Sequence, residues 1–341
     1  MNLDRVYIIA EAGVNHNGDI QLAKELIKVA KACGVDAVKF QTWNTDILID
    51  KESILADYQK ANAPGETSQY EMLKKLELSQ ADFIELKAYC DMEKIEFLST
   101  PDELDSAKFL DKIQDKFKIG SGELTNTLYL KQVAKFGKPV ILSTGMGDMR
   151  EVEEGVNALL EGGLMKNQIY LLHATTEYPA PMNEINLKAM LTLKDKFQVE
   201  VGYSDHTEGI EVPIAAVAMG ARIIEKHFTL DKAMIGPDHK ASLNPTELKA
   251  MVMAIRNIEQ AMGDGIKKPT KSEMKNKLVV RKKIFLMKDC AKDYQITEED
   301  IYSKRTNKEG LEANAYKSII GKKLKHAITA HTILTNQDLI L

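Results

Sequence analysis

Cysteine is scarce: Cys33, Cys90 and Cys290 are the three in 341 residues, odd in number and far apart. That pattern argues against a disulfide framework and for a reducing, cytoplasmic setting. Long apolar runs are missing too. None approaches the ~18 residues from which a membrane span is read, so no membrane association is expected. The N-terminus, MNLDRVYIIAEAG, lacks a signal peptide's ordering of charge, apolar stretch and small-residue cleavage site. A large charge of one sign is also absent. The net charge of −4 gives no reason to expect nucleic acid as a partner. The glycine stretches GSGE and STGMGD fit no GxGxxG pattern, and GxxxxGK[ST] does not occur, so nucleotide-cradling loops are not indicated.

Short β-branched runs are abundant, and each ends in polar residues or glycine. They lie at residues 7–12 (YIIAEA), 37–42 (AVKFQT), 97–101 (FLSTP), 117–123 (FKIGSGE), 140–145 (VILSTG), 169–178 (IYLLHATTEY), 199–207 (VEVGYSDHT) and 221–229 (ARIIEKHFT). Near-continuous apolar runs suggest parallel strands buried on both faces. Helical patterns separate most of them. Asp19 caps a stripe of Ala23, Leu26, Ile27, Ala30 and Cys33, with Gly34 just past its end. Ser79 with Asp82, and Asn244–Pro245 with Glu247, open two more helices. This alternation predicts a (β/α)8 TIM barrel over residues 1–265, in preference to a doubly wound open sheet. Residues 266–280 are polar and lysine-rich and read as a linker. Residues 281–341 read as a small β-rich module. From Lys277 onward the charge is +5, leaving −9 on the rest, so the tail could dock on an acidic body or help attract an anion. The long gap from Trp43 to Leu78 has the makings of a lid or a surface insertion.

A barrel's strands all end on one face, where its chemistry lies. Here those ends supply Glu11, Lys39, Gln41, Thr100, Lys118, Ser121, Glu123, Ser143, Thr176, Ser204, His206 and His227. His206 and His227 end adjacent strands and can face one cation. With no cysteine nearby, the remaining ligands fall to water, substrate or carboxylates such as Glu11 and Asp238, which favours Mn²⁺ or Mg²⁺ over structural zinc. Lys39 and Lys118 with Thr100, Ser121, Ser143 and Ser204 suit a small, multiply charged phosphate-carboxylate. A lysine buried within a strand would otherwise cost several kcal/mol. The three cysteines read as inert, and His326 and His331 as surface residues.

Taken in order, IAEAGVNHNG, VKFQT, FLSTP, FKIGSGE, LSTGM, HATTEYP, GYSDHT, IEKHFT and GPDHKAS closely resemble the sialic acid synthase family. The tail resembles that family's antifreeze-like (SAF) domain. The likeness spans essentially the whole chain. It implies condensation of phosphoenolpyruvate with N-acetylmannosamine, or its 2,4-diacetamido-2,4,6-trideoxy analogue, to a nine-carbon 2-keto sugar acid and phosphate. It further implies His206 and His227 on a divalent metal, Mn²⁺ in first place with Mg²⁺ or Co²⁺ as alternatives. Lys39, Thr100, Lys118, Ser121, Ser143 and Ser204 would hold phosphoenolpyruvate. Glu11, Gln41, Glu123, Tyr178 and Asp238 would position sugar, water and metal shell, with Glu11 or Glu123 handling protons. Arg305 would reach the sugar's N-acyl end from the partner subunit of a domain-swapped homodimer. Two departures stand out: Thr176 occupies a position where many relatives carry Asn, and TNKEG follows Arg305 in place of a Pro/Gly-rich loop. Competing readings are a pseudaminate synthase, a synthase using an aldose phosphate, for which no second arginine clamp is evident, and a non-catalytic sugar- or ice-binding protein.

Overall fold

Eight helix-separated strands form a single parallel sheet: β1 (Tyr7–Gly13), β2 (Ala37–Thr42), β3 (Glu96–Pro101), β4 (Phe117–Ile119), β5 (Val140–Ser143), β6 (Ile169–Ala174), β7 (Glu200–Asp205) and β8 (Ile223–His227). The hydrogen-bonded order is β3-β2-β1-β8-β7-β6-β5-β4, and β3 lies alongside β4, so the sheet curls into a TIM-barrel-like fold. The computed structural model describes residues 3–340 except 56–59, 61–64 and 66, and it divides into two units, 1–263 and 264–341. Several strands stop earlier than the apolar runs suggest. β4 ends at Ile119, and Ser121–Glu123 turns into a short 3₁₀ helix. The polar strand ends leave the ladder to become the loops of one barrel face.

The helices start and stop where their capping chemistry demands. In α1 (Ile20–Cys33) the Asp19 carboxylate accepts from the Gln21 and Leu22 amides, and Gly34 ends the helix at φ 84°. Short α2 (Thr45–Leu48) and α3 (Gln69–Leu76) follow β2. Around them Val14, Trp43, Leu55, Met72 and Leu76 form a small apolar cluster. This part of the expected lid is therefore packed structure, while the rest of that expectation falls on residues outside those described. In α4 (Gln80–Glu93) and α10 (Pro245–Ala261), Ser79 with Asp82 and Asn244 with Glu247 make reciprocal capping boxes. The intervening helices are α5 (Leu104–Leu110), α6 (Thr127–Ala134), α7 (Met149–Glu161), α8 (Lys188–Phe197) and α9 (Glu211–Ala218).

Alternate strand residues point outward into the main core between sheet and helices, including Ile8, Ala10, Val38, Phe40, Leu142 and Ile224. Inward-pointing Ile9, Leu98, Ile141, Tyr170, Leu172 and Ile223 form a separate apolar plug inside the barrel. Two residues further along β1, β3, β5 and β8 stand Glu11, Thr100, Ser143 and Glu225, and the interior becomes polar. No described helix is long and apolar enough to cross a membrane.

In the second unit, the stretch read as a linker contains a helix, α11 (Lys271–Val280). Thr270 and Glu273 form a capping box, a T-x-x-E signal that the lysine-rich composition obscured. Beyond it, β9 (Lys282–Leu286) pairs antiparallel with β10 (Ile301–Arg305), and α12 (Tyr316–Ile319) is a single turn. Ile284, Leu286, Ile296, Leu324 and Leu334 make this unit's own core.

Candidate active site

Glu11, Lys39, Thr100, Lys118, Ser143, Ser204, Glu225 and His227 lie at or beside the carboxyl ends of β1, β2, β3, β4, β5, β7 and β8. With Gln41, Ser121, Thr176, Tyr178, His206 and Asp102 they line one cavity of about 200 Å³. Lys39 and Lys118 are each at most 3% exposed. Their charges are balanced from within. The Lys39 ammonium lies 2.7 Å from Glu11 Oε2 and 3.7 Å from Glu225 Oε2, and donates to Thr100 Oγ1 at 2.9 Å. The Lys118 ammonium lies 3.4 Å from Glu225 Oε1. Burying two ammonium groups requires such partners.

The two carboxyl groups respond differently to this setting. Burial pushes Glu11 up to about 7, since the pull of Lys39 is offset by repulsion from Glu225. Burial opposes ionisation of Glu225 as well, but Lys118, Lys39 and a 2.9 Å hydrogen bond from Ser204 Oγ bring it down to about 2. Of these two, Glu225 is firmly ionised and Glu11 titrates near neutrality; burial likewise pushes Asp102, in the same cavity, up to about 7. Gln41 donates to Glu11 Oε1 at 3.2 Å.

Some polar atoms wait for a partner. Ser143 Oγ and Thr176 Oγ1 are buried with no hydrogen-bond partner among the described residues, and such groups are costly unless a ligand satisfies them. Gly145 keeps this wall close-packed. Its amide donates to Ser121 Oγ at 3.0 Å, and a Cβ there would stand 2.3 Å from Thr176 Oγ1.

The His206 and His227 rings meet edge-on with centroids 5.5 Å apart, and the Tyr178 ring lies tilted with its centroid 4.1 Å from that of His206. His206 Nδ1 meets the Thr175 carbonyl at 2.6 Å. A carbonyl can only accept, so Nδ1 carries the proton and Nε2 keeps its lone pair. Burial lowers the pKa of both histidines, in His227 reinforced by His206, so both are neutral, as a metal ligand must be. His227 Nδ1 is buried without a hydrogen bond and lies 3.6 Å from Asp238 Oδ2. No group of three His, Cys, Asp or Glu with metal-holding geometry occurs among the described residues. Two neutral imidazoles, one of them with an orphaned nitrogen, fit an ion whose other positions are filled by substrate and water.

Not every expected residue lines the central cavity. Asp238 touches His227 from a loop held by His239, which pairs through Nδ1 with Thr229 Oγ1 at 2.7 Å and through Nε2 with Asn17 Oδ1 at 3.2 Å. Glu123 lines a neighbouring cavity of about 310 Å³, which shares Asp102 with the first. Arg305 ends β10 in the second unit and is exposed. Cys33, Cys90 and Cys290 are free and buried.

Sequence reasoning missed Glu225 and Asp102. Glu225 stands two residues before His227, so strand alternation places both on the inner face, a signal that was available. Asp102 immediately follows β3 and carries no such mark. Residues 205 and 226 point the other way: behind the histidines, Lys226 pairs with Asp205 at 2.5 Å, both fully buried.

Residues 26–267 match the NeuB family. Over 321 residues the chain is 50% identical to the N,N'-diacetyllegionaminic acid synthase of Campylobacter jejuni, covering 94% of this chain and 96% of that one. Over 331 residues it is 47% identical to the synthase of the same name from Legionella pneumophila, with 96% and 93% covered. Among solved structures, the N-acetylneuraminic acid synthetase of Leptospira borgpetersenii matches with a TM-score of 0.70 at 34% identity, over 81% of this chain and 91% of that one.

Proposed function

The chain belongs to the NeuB family, sialic-acid-type synthases that condense phosphoenolpyruvate with a sugar; from that premise we propose that its acceptor is 2,4-diacetamido-2,4,6-trideoxymannose and its product N,N'-diacetyllegionaminate. The two relatives near half identity that bear this product's name favour it over N-acetylmannosamine.

One observation carries the site reading: two buried lysines and two partnerless hydroxyls converge on a cavity beside a pair of neutral imidazoles. Lys39 and Lys118 hold the phosphate and carboxylate of phosphoenolpyruvate as charge-assisted donors, and Thr100, Ser121, Ser143 and Ser204 supply hydroxyls. The C3 carbon of phosphoenolpyruvate forms the new bond to the aldehyde carbon, whose oxygen gains a proton. Water then adds at C2, the C2–O bond to phosphate breaks, and the keto acid and inorganic phosphate remain. Glu11, with a pKa of about 7, is suited to exchange the protons of these steps, and Glu123 shares that role from the acceptor side. Gln41, Thr176, Tyr178 and Asp238 shape the acceptor pocket. His206 and His227 hold a divalent ion, Mn²⁺ in preference to Mg²⁺ or Co²⁺, which supplies Lewis acidity when bound. The second unit acts as an antifreeze-like domain that presents Arg305 to the barrel of a twofold partner.

The decisive measurement is phosphate release from phosphoenolpyruvate with each acceptor in turn, before and after exhaustive chelation. Turnover of the diacetamido sugar, lost on chelation and restored by Mn²⁺, is expected. Faster turnover of N-acetylmannosamine would reverse the acceptor assignment, and full activity after chelation would remove the metal. For the dimer, Arg305→Ala and His206→Ala chains should complement on subunit exchange, restoring roughly a quarter of wild-type activity; no rescue would refute swapping.

A further inference from the structure

The central cavity, at about 200 Å³, falls below the ~300–1,000 Å³ typical of small-molecule sites, yet two substrates must meet there. The additional space adjoins it at the ends of β3 and β4, in the cavity of about 310 Å³ that shares Asp102. The lining of this second cavity includes apolar Ile47, Leu48, Leu104 and Leu128. Ile47 is 56% and Leu128 69% exposed, so both offer apolar surface beside a polar active site. It also includes polar Asp102, Glu103, Glu123, Asn126 and Gln132. Several of these polar residues are held in place. Glu123 Oε2 accepts from Asn126 Nδ2 at 2.7 Å, Asn126 caps α6, and Tyr129 donates to the Pro101 carbonyl at 2.6 Å just before Asp102.

Carboxylates and aliphatic side chains lining one cavity match an acylamino group, whose N–H donates while its methyl is covered. The aliphatic side chains equally suit a deoxygenated carbon. We infer that this cavity is an acceptor subsite for the distal, acylamino- and methyl-bearing end of the sugar, and that Ile47 and Leu128 favour acceptors that carry those groups there. The inference rests on the proposed condensation and deepens it.

The test is the ratio of kcat/KM for 2,4-diacetamido-2,4,6-trideoxymannose to that for N-acetylmannosamine in Ile47→Ser/Leu128→Ser, with Leu128→Met as the conservative control. Both side chains are exposed, so folding should be preserved, and a melting curve checks it. The double variant should lose about tenfold with the diacetamido sugar and less than about twofold with N-acetylmannosamine. The KM for phosphoenolpyruvate should not move, and Leu128→Met should keep the wild-type ratio. Equal losses with both acceptors, or no change with either, would overturn the subsite while leaving the condensation intact. Wild-type turnover of neither sugar would instead sink the proposed reaction, and the subsite with it.

Discussion

Two layers inside one barrel differ by two residues along each strand and by everything in their chemistry. Ile9, Leu98, Ile141 and Ile223 plug the interior. Glu11, Thr100, Ser143 and Glu225, the next inward residues of the same strands, line the reactive cavity. The lower layer is held by burial, which is non-directional and tolerant of shape. The upper layer buries charges that survive only because each has a partner at a particular distance. The plug gives that charged layer a rigid, water-excluding floor, which keeps the ammonium and carboxylate groups from being screened.

Substitutions in the two layers should therefore fail in different ways. The largest effect is expected from His206→Ala in the upper layer: kcat falls by about 10²–10³-fold or more while the melting curve is nearly unchanged, because a transition-state interaction is lost. Steady-state kinetics with a thermal melt decides it, and a near-normal kcat would remove His206 from the chemistry. Next comes Leu98→Ala in the plug, which should cost about 2–5 kcal/mol of stability through cavity formation, while the protein that remains folded keeps most of its activity. Denaturant unfolding alongside active-site titration measures both. If activity per folded molecule collapses too, the layers are not separable.

Lys118→Ala should raise the KM for phosphoenolpyruvate more than that for the sugar, by the ~1.5–3 kcal/mol of a charge-assisted contact. An equal rise for both substrates would contradict its assignment. The smallest effect concerns Glu11. Its folded pKa, about 7, lies above the ordinary carboxyl value, with burial the chief cause. The stability it contributes is fully present below the unfolded pKa of ~4.3 and is lost as pH rises through about 7. Melts of metal-free enzyme between pH 5 and 8 should show this loss, to which Asp102, pushed up to about 7, and Asp238, to about 6, also contribute, and Glu11→Gln should reduce it. An unchanged pH profile in the variant would mean that Glu11 does not titrate there.

Much of this was legible in the linear order of residues. The apolar runs located all eight strands, Asp19, Ser79 and Asn244 marked helix starts, and the polar strand ends marked the face on which Lys39, Lys118, His206 and His227 converge. These are local signals: alternation and capping act over two to four residues, so a sequence displays them directly. The helix at Lys271–Val280 was also local, but composition masked its Thr270–Glu273 box.

What only the tertiary structure decided is how charges from distant strands meet. Glu225 is an ordinary glutamate until β2 and β4 bring Lys39 and Lys118 within 3.7 and 3.4 Å of it, and Glu11 titrates near neutrality because the same closure buries it beside a second carboxylate. The split between a central cavity and the Glu123 cavity beside it likewise arises where β3 and β4 close the barrel. A sequence records which residue types face inward. Coulomb energy and desolvation depend on separations through space, and those exist only once the sheet has curled.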